Sequence, residues 1–213
     1  MDKAERIRNE KLGAGLIKAL SLRHFDAYYC ASSSEAAEKI LSLIPKTDVV
    51  SWGGSMTMEA LGVIDRVKKG GWRVIDRSTA QSQEEKIEIM RRALLCDTYL
   101  TGANAISEDG EIVNVDGNGN RVAAMTFGPR SVIVACGMNK VVKTAEDATS
   151  RARSNTAAPV NAQRFDICTP CKTTGSCADC KSTDSICSYI VRTRLCKPAG
   201  RIKVVLVGET LGF

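Results

Sequence analysis

After its first residue, the run Ser131-Val132-Ile133-Val134-Ala135-Cys136 is apolar at every successive position. A strand turns alternate side chains to opposite faces, so this segment needs apolar cover on both sides. Sheets of that kind are built from strands that alternate with helices, and the surrounding chain supplies them. Strands are predicted over Asp26–Cys30, Asp48–Trp52, Trp72–Asp76, Thr98–Ile106 and Ile202–Val207. The spacing of Ile7, Leu12, Leu16, Ile17 and Leu20 predicts a helix over Asp2–Leu22, with Gly13 and Gly15 weakening its centre. Ser32-x-x-Glu35 and Ser82-x-x-Glu85 are capping boxes that open two more helices, the first stopped by Pro45. Helices are also expected over Met58–Lys69, Val122–Phe127 and Thr144–Thr156. The fold class is therefore α/β, a mostly parallel sheet with helices on both faces.

The net charge of +6 is unevenly placed. Residues 1–150 carry 20 basic and 20 acidic side chains, whereas 151–213 carry 10 and 4. The same C-terminal stretch holds six of the nine cysteines. A basic tail can bind nucleic acid, but only Phe165, Tyr189 and Phe213 are aromatic there, which argues against stacking-based recognition of single strands. No apolar run approaches the ~18 residues of a membrane span, and the charged start Met1-Asp2-Lys3-Ala4-Glu5 is not a signal peptide, so a cytoplasmic protein is expected.

Two glycine-containing segments look outward. Gly53-Gly54-Ser55-Met56-Thr57 joins a strand to a helix, a turn that can aim free N–H groups at a phosphate or carboxylate. The stretch Thr101–Arg121 sets Asn104, Asn114, Asp116, Asn118 and Asn120 among four glycines, including Gly102 and Gly119. Turns at Glu108-Asp109-Gly110 and Asp116-Gly117 account for the glycines as a hairpin. The five amide and carboxylate side chains fit a polar rim facing a ligand. The only histidine, His24, sits at a helix end, which excludes a histidine-rich metal centre. Glu59, Asp109, Glu111 and Asp116 are the remaining acid or nucleophile candidates, with Asp116 and Glu111 in the ligand-facing stretch.

Between Ile167 and Lys197 the cysteines follow C-x2-C-x5-C-x2-C-x6-C-x8-C, at Cys168, Cys171, Cys177, Cys180, Cys187 and Cys196. Paired C-x2-C knuckles in a cytosolic chain point to a metal or a cluster more than to disulfides. An iron–sulfur cluster of the [4Fe-4S] type is favoured and a structural zinc is the alternative. Cys30, Cys96 and Cys136 lie in apolar stretches and belong to the core. Because a strand follows the cysteines, the chain divides into an α/β body over 1–160, a Cys-rich insertion over 161–201 and a returning strand over 202–213.

Several segments together resemble the lactate-utilisation (LUD) domain family. They are Trp52–Thr57, Leu100–Ile106, Gly110–Arg121, Phe127-Gly128-Pro129 and Gly137-Met138-Asn139-Lys140. Thr169-Pro170-Cys171, Thr174–Ser182 and Ile186-Cys187 resemble a cysteine-bearing subgroup. The resemblance implies Cys171, Cys177, Cys180 and Cys187 as ligands, with Cys168 and Cys196 as possible extras. It adds Lys140 to the ligand-binding set of Gly53, Gly54, Ser55, Thr57, Gly102, Asn104, Asn114, Asp116, Asn118, Gly119 and Asn120. It also implies the Rossmann-like fold of ribose-phosphate isomerases, glucosamine-phosphate deaminases and CoA-transferases, with the glycine turn and the Asn-rich loop on one side. The isomerases of that fold use a Gly-Ala-Asp carboxylate. Gly102-Ala103-Asn104 has an amide, which cannot abstract a proton at neutral pH.

Two functions remain open on this reading. One is an accessory or electron-transfer component of organic-acid oxidation, lactate to pyruvate, binding a small anionic metabolite and working with an iron–sulfur or oxidoreductase partner. The other is an isomerase-like or transferase-like enzyme on a phosphorylated or CoA-linked molecule, with Asp116 or Glu111 catalytic and zinc structural. Either leaves room for a homo-oligomer.

Overall fold

The computed structural model describes residues 2–213. In chain order the elements are α1 (Lys3–Leu22), β1 (Asp26–Cys30), α2 (Ser33–Ser42), β2 (Val49–Trp52), α3 (Met56–Ala60), α4 (Val63–Lys69), β3 (Arg73–Ile75) and α5 (Gln83–Arg92). There follow β4 (Thr98–Gly102), β5 (Ala105–Ser107), β6 (Ile112–Asp116), α6 (Asn120–Thr126), β7 (Ser131–Gly137), β8 (Val141–Val142) and α7 (Ala145–Ser150). After a π-helical turn over Arg151–Asn155 come α8 (Ala157–Ala162), α9 (Pro170–Thr174), β9 (Tyr189–Thr193) and β10 (Ile202–Val207).

Six strands make a parallel sheet in the order β1-β10-β7-β4-β2-β3. Strand β7 sits inside it and divides its side chains as its composition demands. Val132, Val134 and Cys136 join one core with Leu16, Leu20 and Tyr99. Ile133 and Ala135 join the other with Ile40, Met58, Leu100 and Val205. Helix α1 covers the first face at close range: a Cβ on Gly13 would come within 3.0 Å of the Tyr29 ring, so the glycine in the helix centre is a contact point with β1. Ser32 and Ser82 cap α2 and α5 by accepting from the Glu35 and Glu85 amides.

A second sheet, β8-β5-β6-β9, contains the hairpin expected from the turn at Glu108-Asp109-Gly110, as β5 and β6, and adds β8 and β9, which were not anticipated. The strand anticipated over Thr98–Ile106 breaks at Ala103-Asn104, and β5 turns off to pair antiparallel with β6 and parallel with β8. The segment 161–201 supplies β9, which pairs antiparallel with β6. The helix expected over Met58–Lys69 begins earlier, at Met56, and is interrupted at Gly62, whose φ of 64° only glycine adopts readily. The helix expected over Thr144–Thr156 is α7 followed by the π-helical turn. Among the described residues no helix is long and apolar enough to cross a membrane.

Candidate functional site

In a parallel α/β sheet ligands collect at the carboxyl ends of the strands. Here the turn after β2, the peptides after β4 and the turn after β7 meet at that edge. Ser55 caps α3 by accepting from the Met58 amide at 3.2 Å. A Cβ on Gly102 would stand 2.7 Å from Ser55 Oγ, so the glycine lets the capping serine approach the end of β4. Lys140 Nζ donates to Thr57 Oγ1 at 2.9 Å and lies 3.3 Å from the Ala103 carbonyl. Lys140 is only 4% exposed, and the main chain at Leu211-Gly212 covers it; a Cβ on Gly212 would be 3.0 Å from Nζ.

Among the described residues no carboxylate pairs with Lys140. Burial lowers its pKa to about 8, and Arg151 and Arg121 push the same way, outweighing the opposite influence of Cys136. Burial also drives the Cys136 thiol up to about 11, so its opposing influence on Lys140 is felt only at alkaline pH, where the thiol ionises. Arg151 adds to the excess, donating to the Asn104 carbonyl at 2.6 Å. A buried ammonium without a counter-ion is costly unless something anionic completes it.

The Asn-rich stretch departs from the expected polar rim. Asn114 is 1% exposed, and Asp116 is also buried. Asn114 Nδ2 donates to the Gly102 carbonyl at 3.1 Å, and Asn104 Oδ1 accepts from the Val115 amide at 2.9 Å and from Arg121 at 3.0 Å. The amides thus stitch the β4–β5 corner to β6. Asp116 accepts the N–H groups of Gly119, Arg121 and Val122 at the start of α6 and ion-pairs with Arg121 at 3.6 Å. Glu111 lies at the far end of β6, buried between Arg23, at 3.2 Å, and Arg192. Both carboxylates therefore have their oxygens occupied by the chain's own donors. Asn118 is exposed, while Gly119 and Asn120 are half-buried at the α6 start, where the Tyr189 ring packs on Gly119.

The cysteines separate by location. Cys171, Cys177, Cys180 and Cys187 line one pocket together with Arg153 and Asp179. Thr169 and Pro170 start α9 and Gly175, at φ 74°, ends it, so the chain doubles back between Cys171 and Cys177. Arg153 pairs with Asp179 over this pocket. Burial raises the Cys187 thiol, the three neighbouring cysteines raise it further, and Arg153 opposes them. Among the described residues, no three His, Cys, Asp or Glu side chains are gathered so as to hold a single metal ion. Cys168 is exposed, with its amide donated to Asp184. Cys196 is packed in the core, accepting from the Ile202 amide at 3.2 Å and donating to the Pro198 carbonyl. Cys30, Cys96 and Cys136 are buried, as their surroundings indicated.

The π-helical turn lies between the two regions. Arg151 reaches Asn104 at the strand ends, and two residues later Arg153 reaches the cysteine pocket. Sequence reasoning missed Arg77, Tyr99, Arg121, Arg151 and Arg153. A signal existed for Arg77, which follows the end of β3, the strand beside β2.

A profile described as LUD domain matches residues 14–207. No curated protein matches the chain. Among solved structures, a DUF162 family protein from Deinococcus radiodurans is similar at TM-score 0.54 and 14% identity, over 93% of this chain and 97% of that one. Ribose 5-phosphate isomerase A from Neisseria gonorrhoeae aligns at TM-score 0.36 and 16% identity, over 53% of this chain and 54% of that one. The translation initiation factor eIF-2B of Pyrococcus horikoshii OT3 aligns at TM-score 0.37 and 18% identity, over 55% and 50%.

Proposed function

The chain belongs to the LUD domain family, and from that premise we propose that it is an accessory or electron-transfer component of organic-acid oxidation, lactate to pyruvate. Membership itself supports a role related to lactate utilisation. The finer reading assigns a small anionic metabolite to the strand-end cleft and an iron–sulfur cluster to Cys171, Cys177, Cys180 and Cys187.

The observation that carries it is the common pocket of these four thiols beside Arg153. The donor set suits the group, since four thiolates are the usual ligands of such clusters. Four thiols lining one space supply the full donor set of such a cluster, and iron and sulfide content distinguish it from zinc. When bound, such a cluster supplies one-electron transfer. The chain's part is electrostatic: Arg153, paired with Asp179, sets a positive charge beside the pocket and opposes the upward push that burial and the neighbouring cysteines exert on the Cys187 thiol.

In the cleft, Lys140 and Arg151 provide the positive charge an organic anion needs, and the Thr57 hydroxyl orients the ammonium. The Leu211-Gly212 main chain closes over Lys140 and Thr57, so an anion that reaches the ammonium displaces this segment. Anaerobic purification followed by iron, sulfide and zinc analysis, absorbance and EPR tests the assignment. About four irons and four sulfides per chain, lost in Cys177→Ser, are expected; a colourless protein with one zinc would overturn the relay.

A further inference from the structure

An open cavity of about 470 Å³ adjoins Arg151. It is bounded by Val142 and Lys143 at the end of β8, by α7, and by the π-helical turn that follows. A capping box between Thr144 and Asp147 fixes the start of α7. The Thr156 N–H donates to the Arg151 carbonyl at 3.2 Å, five residues back, and closes the π-helical turn. Turns of that kind are rare and collect at functional sites. This one sets Arg151, Asn155 and Thr156 round the same space as Ser150.

The charges in the wall are unevenly answered. Lys143 pairs with Glu108 at 2.6 Å, and Asp147 accepts from the Thr144 amide at 3.1 Å through one oxygen. Arg151 donates through Nη1 to the Asn104 carbonyl and meets no carboxylate among the described residues. The side chains of Ser150, Asn155 and Thr156 make no hydrogen bond among the described residues, so their polar groups are free for a ligand. Val142 alone among the lining side chains is apolar, and none is aromatic.

We infer that this cavity binds a small hydroxylated ligand with one anionic group, a sugar acid or a sugar phosphate. Arg151 takes the anion, and Ser150, Asn155, Thr156 and the second oxygen of Asp147 take the hydroxyls. A guanidinium presents a planar fork that matches either a carboxylate or a phosphoryl group. One cation without a counter-ion calls for one anionic group, and a second would meet Asp147. Hydroxyl and amide side chains both donate and accept, as sugar hydroxyls require. The wall offers no aromatic face for a nucleobase and no apolar strip for an acyl chain. Its volume falls in the range of small-molecule sites. The seat is open and does not involve Lys140, which the Leu211-Gly212 main chain covers.

Calorimetric titration of the anaerobically prepared full chain with gluconate, glucose 6-phosphate and glucose tests this. At least one of the two anions should bind about tenfold or more tightly than glucose, and the one that gains identifies the anionic group. Arg151→Gln, which keeps a donor for the Asn104 carbonyl, should reduce that ligand to the affinity of glucose. Ser150→Trp places a bulky ring in the cavity from an exposed position and should abolish binding with Arg151 intact. Lys140→Met should bind the sugar anion as wild type does. Unliganded melting temperatures of the variants control for folding. Sugar anions bound no better than glucose, no binding by any probe, or binding indifferent to Ser150→Trp would overturn the site. An equal loss in Lys140→Met would overturn it too, moving the anion to the strand ends. The strand-end reading fails separately, through a lactate response that Lys140→Met leaves unaltered.

Discussion

Lys140 Nζ rests 2.9 Å from Thr57 Oγ1, inside the protein, with its charge answered by a hydroxyl and a carbonyl and by no carboxylate among the described residues. The residues that make this arrangement come from α3 and from the turn after β7, so the sheet itself brings them together. Replacing a buried charge by an apolar side chain of like volume is often neutral or stabilising. Lys140→Met should therefore melt at or above the wild-type temperature and lose the thermal shift produced by organic anions. A strongly destabilised variant would instead mark the lysine as structural.

The same lysine sets a pH dependence. Its pKa is depressed to about 8 from 10.5, so between those values the unfolded chain holds a proton that the folded chain has released. Folding stability then rises with pH across that window through this group. Anion affinity runs the other way, since the ammonium is present below about 8 and lost above it. Titrations at pH 7 and pH 9 should show at least a severalfold weakening at the higher pH, absent in Lys140→Met.

The division of the cysteines yields a direct comparison. Cys171→Ser and Cys180→Ser remove thiols that line the common pocket, and both should lower iron and sulfide content sharply. Cys168→Ser alters an exposed side chain outside the pocket and should retain both. Equal content in all three variants would separate the cluster from this pocket.

Much of this was legible in the sequence. The alternation of strands and helices and the apolar run of β7 specify a doubly covered sheet because periodicity reports burial directly. The serine caps at Ser32 and Ser82 were equally local signals, although Glu35 and Glu85 accept from the Ala31 and Gln81 amides and not from the serines' own. The choice of Cys171, Cys177, Cys180 and Cys187 among six cysteines came from the family resemblance. Of the second sheet only the β5–β6 hairpin was legible, because β8 is two residues long and β9 comes from distant chain. Polar character misled at Asn114 and Asp116: an amide or a carboxylate facing a ligand and one satisfying buried main chain look alike until the partners are known. The arginines were missed for a related reason, since a cation's meaning lies in whether a carboxylate stands opposite.

Asp116 tests that distinction. Its carboxylate accepts three N–H groups at the start of α6 and pairs with Arg121. Loss of a capping acceptor costs about 0.5–2 kcal/mol, and the freed Arg121 is buried, so Asp116→Ala should cost at least about 2 kcal/mol in urea unfolding. Asp116→Asn, which keeps one acceptor, should cost less. Unchanged stability in both would return the residue to the ligand-facing role.

Gly13 and Gly15 lie two positions apart in α1, and replacement by alanine should move stability in opposite directions. Alanine in a helix interior gains about 0.5–1 kcal/mol over glycine, because glycine loses more backbone freedom on folding. At Gly15 nothing lies within 4 Å of the new methyl, so Gly15→Ala should realise that gain. At Gly13 the methyl would enter the space held by the Tyr29 ring, at a distance real Cβ atoms do not show. Overpacking of this kind costs about 1–3 kcal/mol, which exceeds the helical gain, and Tyr29 is itself held on β1 against the sheet. Gly13→Ala should therefore unfold at lower urea than wild type and Gly15→Ala at higher. Pairing Gly13→Ala with Tyr29→Ala should restore part of the helical gain by opening that space, a coupling that a double-mutant cycle measures. Strictly additive effects would mean that α1 and β1 do not meet at this point.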